Sequence, residues 1–116
     1  MESATTTQSE RAYGLRQFGP GDGERFRDLY ETVWGRRPSA DWFDWRFRDN
    51  PAGDRVRMVL TERDGAVVGA EAALPYRLRV GDETVTALQP VDWIVHPDHR
   101  GAGLATRMAE ARIERD

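Results

Sequence analysis

The sequence predicts an α+β domain, arranged as an α/β sandwich, in which a mostly antiparallel sheet is flanked by helices. Two observations carry this prediction. Apolar residues recur at helical spacing in three segments, whereas the stretch from residue 55 to residue 95 follows a two-residue period. The 116 residues suffice for one domain with one core. We assign residues 13–116 to that domain and residues 1–12 to a disordered leader.

A strand and two helices open the predicted domain. Apolar and polar residues alternate over residues 13–18, which predicts a short strand. Asp22 offers an N-cap for a helix that Gly35 ends. Ser39 is a natural N-cap for a second helix over residues 40–49. That helix carries four aromatic residues, Trp42, Phe43, Trp45 and Phe47.

Three strands follow, over residues 55–62, 66–80 and 83–95. A tight turn at Arg63-Asp64-Gly65 joins the first two, and Gly81-Asp82 turns the second into the third. Pairing around that second turn places Pro75 near Leu88 and Pro90 near Ala73. Each proline lacks a ladder donor, so we expect a bulge or a split hairpin there.

The last predicted element is a helix over residues 101–115. Leu104, Met108 and Ala111 form one narrow apolar stripe, and Arg112 lies beside it. The predicted order of elements is therefore β-α-α-β-β-β-α.

A strand-to-helix turn holds the most informative residues. An apolar strand ends in Val95, Pro97 follows, and Gly101 and Gly103 precede the last helix. The first N–H groups of a helix have no internal partner, the helix dipole favours negative charge, and glycines let a phosphate approach the backbone. The turn is therefore a candidate anion site. A P-loop would need a lysine, which the chain lacks, and a dinucleotide fingerprint would need a third glycine, which is missing three residues after Gly103.

The run Val-His-Pro-Asp-His-Arg-Gly-Ala-Gly-Leu-Ala at residues 95–105 resembles the acyl-CoA motif of the GNAT superfamily, Gln/Arg-x-x-Gly-x-Gly/Ala. Gly101 and Gly103 match its two small positions, and Asp98 falls where glutamine or arginine is commonest. The order of elements matches that family as well. The resemblance implies acetyl-CoA as co-substrate. The cofactor-binding residues that it implies are Ile94, Val95, Arg100, Gly101, Ala102, Gly103, Leu104 and Ala105.

The resemblance also implies the reaction, an acetyl transfer to a primary amine by direct attack. A backbone N–H near Val95 would polarise the thioester, and no covalent enzyme intermediate is needed. The alternatives are a non-catalytic acyl-CoA-binding or protein-interaction module, a truncated inactive fragment, and a structural domain whose turn binds no anion.

Asp92 is the candidate catalytic base or amine-binding carboxylate, because it interrupts an apolar strand beside the expected acyl group. The alternative is that Asp92 pairs with an arginine or meets solvent. Trp42, Trp45 and Glu71 are candidates for substrate binding. Core packing is the alternative for the tryptophans, and a solvated strand position is the alternative for Glu71.

Several classes of partner and site are not expected. A net charge of −3 gives no basic face for nucleic acid, and no apolar run is long enough to span a membrane. There is no cysteine, and all 17 basic residues are arginine, so thiol and lysine chemistry are excluded. We expect no metal, because His96, Asp98 and His99 lie in a loop with no fourth ligand. The expected acceptor is a small-molecule or peptide amine, and the expected location is cytoplasmic.

The resembling fold continues with one more helix and three more strands. We expect this chain to be a truncated form of that fold. The alternatives are a chain completed by a second chain and a homodimer formed through the exposed edge of the strand that ends in Val95. An open strand edge invites pairing with another chain.

Overall fold

The computed structural model describes residues 13–49 and 56–115. The strands are β1 (Gly14–Gln17), β2 (Arg57–Arg63), β3 (Ala66–Val80) and β4 (Glu83–Val95). The helices are α1 (Asp22–Trp34), α2 (Ala40–Phe43), which continues as a π-helical turn (Asp44–Arg48), and α3 (Leu104–Arg115). The strands form one antiparallel sheet in the order β1-β2-β3-β4, so the predicted fold class and element order are confirmed. The predicted leader, residues 1–12, and the predicted stop of the second helix, residues 50–53, lie outside the described residues.

The sheet is covered by α1 and α2 on one face and by α3 on the other. Successive side chains of a strand point to opposite faces, and β2 shows the division: Met58 and Leu60 pack with α1 and α2, whereas Val59 packs with α3. The larger core cluster comprises Phe26, Leu29, Phe43, Phe47, Met58, Leu60, Ala70, Ala72 and Ile94. The smaller one comprises Tyr13, Val59, Val68, Leu104 and Met108, with Ala111 packed against it. The predicted stripe of α3 is thus its buried face.

The helix ends follow the predicted signals at two of three positions. Gly35 adopts a left-handed φ of 78° after α1 and donates its N–H to Glu31, and the Ser39 side chain accepts the N–H of Trp42. The prediction that Asp22 is the N-cap is wrong. Gly21 occupies that position, and Asp22 is the first helical residue, with its carboxylate buried beneath two arginines.

The predicted bounds and register of the β3–β4 hairpin are confirmed. Pro75 lies opposite Leu88, and Pro90 lies opposite Ala73. The predicted bulge at these prolines is wrong, because pairing passes both without a shift. Pro90 is on an edge strand of the described sheet, and Pro75 lies beyond the last residue of β3 that pairs with β2. Each proline therefore has a neighbouring strand on one side only, and on its other side the missing N–H costs no hydrogen bond of the sheet.

The outer half of the hairpin extends past the helices and is exposed on both faces. One face carries the apolar residues Tyr76, Leu78, Val80 and Val85, and the other carries Arg77, Arg79, Thr84 and Thr86. The molecule is accordingly elongated, with a longest dimension of 58 Å. No helix among the described residues has the length and apolarity needed to cross a membrane.

Candidate functional site

β4 bulges two residues before its end. The ladder shifts between Ala70 and Ala72, so that Glu71 faces two residues of β4, Asp92 and Trp93. Asp92 takes a left-handed φ of 50°, a conformation that aspartate adopts more readily than most residues. The bulge therefore changes the direction of the strand just before the predicted anion turn.

The end of β4 presents backbone groups to the open edge of the sheet. The N–H of His96 donates to the carbonyl of Val68 on β3 at 2.8 Å. Because N–H groups alternate along an antiparallel strand, the N–H of Val95 points away from β3. The carbonyl of Val95, on the same side, accepts a hydrogen bond of 3.2 Å from Nε of Arg100.

The turn between β4 and α3 is built from a short 3-10 segment and two left-handed glycines. Pro97–His99 forms the 3-10 segment, and Gly101 and Gly103 have φ values of 90° and 72°. A Cβ at either glycine would meet no atom within 4 Å, so both glycines face open space. The first α-helical bond of α3 runs from Arg107 to Gly103. The N–H groups at the start of α3 therefore lack helical partners.

These elements border an open pocket of about 470 Å³. The pocket is lined by Val33, Trp34, Trp93, Val95, His99, Arg100, Gly101, Gly103, Leu104, Ala105 and Thr106. Six of the eight predicted cofactor residues are in that set. The side chain of Ile94 is buried in the larger core instead, and Ala102 is exposed outside the lining.

Sequence reasoning missed five of the lining residues. Thr106 had a usable signal, because the third residue of a helix still has a free N–H. His99 and Trp93 are the sequence neighbours of Arg100 and Ile94, which were predicted as cofactor-binding residues. Val33 and Trp34 had no signal, because only the packing of α1 against the sheet brings its last turn to this pocket.

Asp92 forms an ion pair with Arg46, with Oδ2 3.0 Å from Nε and both side chains about three-quarters buried. Arg46 belongs to the π-helical turn, and its guanidinium carbon lies 5.6 Å from the ring centroid of Trp42 and 5.5 Å from that of Phe47. Pairing of Asp92 with an arginine was the alternative to a catalytic role, and the structure contains such a pair. A catalytic role for Asp92 stays a prediction.

The other predicted substrate residues lie apart from the pocket. Trp42 is partly buried against the core between Tyr30 and Phe47, whereas Trp45 is 69% exposed. Glu71 is fully buried and paired with Arg112 of α3, so the solvated alternative for Glu71 is wrong. Its carboxylate lies on the α3 side of the sheet, opposite the side on which Asp92 meets α2.

The histidines of the turn bind protein groups. Nδ1 of His96 accepts the N–H of Asp98 at 3.0 Å, and Nδ1 of His99 lies 2.8 Å from the Tyr13 hydroxyl. Across residues 13–49 and 56–115, no group of three or more His, Asp or Glu side chains is placed to hold a metal ion.

A family described as the acetyltransferase (GNAT) domain matches residues 15–115. The chain belongs to this GNAT family. The motif also fits the GNAT pattern in a second register that sequence reasoning missed: Arg100 takes the Gln/Arg position, and Gly103 and Ala105 take the two small positions. This register needs no departure, and it places the first small residue directly before α3.

Solved GNAT structures share the fold at low identity. The chain is 21% identical to an aminoglycoside N-acetyltransferase in complex with CoA (TM-score 0.63), and the match covers 88% of this chain and 67% of that one. It is 23% identical to a ribosomal-protein-alanine N-acetyltransferase from Brucella melitensis (TM-score 0.63), covering 90% and 71%. It is 15% identical to a glucosamine N-acetyltransferase region of a fungal multi-domain protein (TM-score 0.67), covering 89% of this chain but only 12% of that one. No curated protein matches the chain.

Proposed function

We propose that this chain binds acetyl-CoA at the turn before α3 and takes part in acetyl transfer to a primary amine. The observation that carries the proposal is the pocket of about 470 Å³, whose wall combines the end of β4 with the first turn of α3. Family membership supports the same chemistry. The related structures named above act on an aminoglycoside, a ribosomal-protein alanine and glucosamine, which supports an amine as the acceptor.

The pyrophosphate of the cofactor would bind at the start of α3. Free N–H groups at Leu104, Ala105 and Thr106, together with the helix dipole, favour an anion there. Gly101 and Gly103 leave the backbone accessible. Trp34 and Trp93, which are 60% and 55% exposed, give the pocket apolar walls that a bound ligand would cover.

The acetyl group would lie at the open edge of β4. The neutral amine attacks the thioester carbon, a C–N bond forms, and the carbonyl oxygen gains negative charge. The N–H of Val95 points to that edge and would stabilise this oxyanion. Collapse of the intermediate breaks the C–S bond, and the thiolate of CoA leaves and takes up a proton. The amine gives up one proton in the process, and we assign its acceptance to Asp92 once the carboxylate exchanges Arg46 for the incoming amine.

Calorimetry with CoA and acetyl-CoA tests the binding step on this chain. We expect saturable binding of both ligands, and absence of binding would overturn the proposal. A panel of small-molecule and peptide amines, assayed for released CoA thiol, then tests transfer. Binding without release for any amine would favour a non-catalytic acyl-CoA-binding module. The homodimer through the β4 edge remains a prediction, which sedimentation equilibrium would test.

A further inference from the structure

A chain of hydrogen bonds ends at the pocket that we assign to the cofactor. Nη1 of Arg63, at the end of β2, lies 2.9 Å from the hydroxyl of Tyr13, and that hydroxyl lies 2.8 Å from Nδ1 of His99. The guanidinium carbon of Arg63 also lies 4.8 Å from the ring centroid of Tyr13. The Tyr13 side chain is buried in the α3-side core, so this arrangement is held by packing as well as by hydrogen bonds.

The order of donors in this chain follows from the groups themselves. A guanidinium has only donors, so the Tyr13 oxygen accepts from Arg63. The hydroxyl then has one hydrogen to donate, and the Nδ1 atom of His99 is its neighbour. Donation to Nδ1 requires that nitrogen to be unprotonated, and the neutral ring then carries its hydrogen on Nε2. In the opposite arrangement, Nδ1–H donates and the part-buried hydroxyl hydrogen loses this acceptor, which disfavours that arrangement.

We propose that His99 is a ligand-binding residue whose Nε2–H donates to a phosphate oxygen of the bound CoA, and that Tyr13 is the positioning residue that fixes this tautomer. The inference rests on the proposed function. His99 lines the pocket beside Arg100 and Gly101, on the wall where the pyrophosphate would bind. His96 provides a contrast, since it does not line this pocket.

Two substitutions of His99 separate ligand binding from a structural role. Asparagine places its amide near the position of Nδ1, so His99→Asn keeps a partner for Tyr13 and loses the donor at Nε2. Glutamine reaches the position of Nε2, so His99→Gln keeps the donor and gives up the Tyr13 contact. We expect His99→Asn to weaken CoA binding by about tenfold or more, since a hydrogen bond to a charged group is lost. We expect His99→Gln to bind CoA more tightly than His99→Asn.

Calorimetry with CoA and with pantetheine, which has no phosphate, provides the measurement. The difference between the two variants is expected with CoA and not with pantetheine. Wild-type CoA affinity in His99→Asn, or stronger binding by His99→Asn than by His99→Gln, would overturn the inference alone. Failure of the wild-type chain to bind CoA would overturn the proposed function, and this inference would fall with it.

The tautomer is measurable in the ligand-free protein. Long-range ¹⁵N–¹H correlation spectra distinguish a protonated from an unprotonated ring nitrogen, and we expect His99 to show Nε2–H only. Tyr13→Phe is expected to convert His99 to a mixture of tautomers and to weaken CoA binding. Tyr76→Phe, on the exposed outer hairpin, is the matched control and is expected to change neither. An Nδ1–H form of His99 in the wild-type chain would contradict the proposed role of Tyr13.

Discussion

Nε of Arg112 lies 2.7 and 2.9 Å from the two carboxylate oxygens of Glu71, which is fully buried between the sheet and α3. Glu71 is also the β3 residue that faces the bulge of β4. This ion pair therefore joins α3 to the sheet at the level of the bulge. Since the N-terminus of α3 forms one wall of the pocket, this pair helps to fix the position of that wall.

Neutralising Glu71 should destabilise the fold strongly. Glu71→Gln removes the buried carboxylate charge that Arg112 contacts, and we expect a loss of about 3–5 kcal/mol in the free energy of unfolding. The control is Asp44→Asn, which removes a half-exposed pair with Arg48 and should cost under about 1 kcal/mol. Urea unfolding measures both. Equal losses in the two variants would contradict the buried character of the Glu71 pair.

The stability of the chain should fall in acid through Asp22. The hydrogen bond from Arg16, helped by those from the Gly19 N–H and Arg25, lowers the pKa of Asp22 from 3.8 to about 2 against the opposing effect of burial. Because the folded pKa lies below the unfolded one, this contribution is complete above about pH 4 and is lost as the pH falls toward 2. It amounts to about 2 kcal/mol. Unfolding free energies from pH 6 to pH 2 should fall less steeply in Asp22→Asn than in the wild-type chain, and parallel curves would count against this assignment.

Replacing Gly103 should weaken CoA binding in addition to straining the backbone. Gly103→Ala and Gly65→Ala both place a Cβ on a left-handed residue in open space, with φ of 72° and 81°. We expect each to cost about 1 kcal/mol of stability. Only Gly103→Ala should also weaken CoA binding, because its Cβ would lie where the phosphate approaches. Equal CoA affinity in the two variants, measured by calorimetry, would place the phosphate elsewhere.

Asp92→Asn should lower the rate of acetyl transfer without affecting CoA affinity. Asparagine tolerates the left-handed backbone of this position, so the change removes the charge and keeps the bulge. Loss of a general base reduces kcat by about 10²–10⁴. Asp64→Asn is the matched control, since Asp64 is also a left-handed aspartate and lies in an exposed turn. An unchanged kcat in Asp92→Asn would contradict the catalytic role and indicate that this carboxylate serves only to pair with Arg46.

The two tryptophans near α2 should respond differently to truncation. Trp42→Ala removes a ring packed against Tyr30 and Phe47 and should cost about 3 kcal/mol. Trp45→Ala removes an exposed ring and should change stability by less than about 0.5 kcal/mol. If Trp45 contacts the acceptor, its loss raises KM for the amine and leaves the Kd for CoA unchanged. An unchanged KM would remove Trp45 from the acceptor site.

Local signals were sufficient for most of the fold. Turn residues fixed both hairpins: Asp64 and Gly65 are both left-handed between β2 and β3, and Gly81 is left-handed between β3 and β4. Gly101 and Gly103 likewise marked the start of α3 to within a few residues. These signals work because a left-handed backbone position strongly restricts the residue that can occupy it.

The charge pairs could not be derived in the same way. Arg46 and Asp92 are 46 residues apart, and Arg112 and Glu71 are 41 apart. Which charges meet depends on the π-helical turn of α2 and on the bulge of β4, which change the facing of side chains locally. Neither irregularity leaves a mark in hydrophobic periodicity. Neither interpretation of Glu71, as a substrate residue or as a solvated strand residue, therefore foresaw that it is among the most buried side chains.

The long β3–β4 hairpin is covered along only part of its length. Its inner residues lie between the helix layers, whereas its outer residues, from Tyr76 on β3 to Thr86 on β4, are exposed. Two strands without a covering layer are only marginally stable in water. The outer amides should therefore exchange with solvent through local opening, while amides near Ala72 exchange only when the whole sheet unfolds. A single pair of strands thus contains two units of different cooperativity, and the pocket lies at the rigid end.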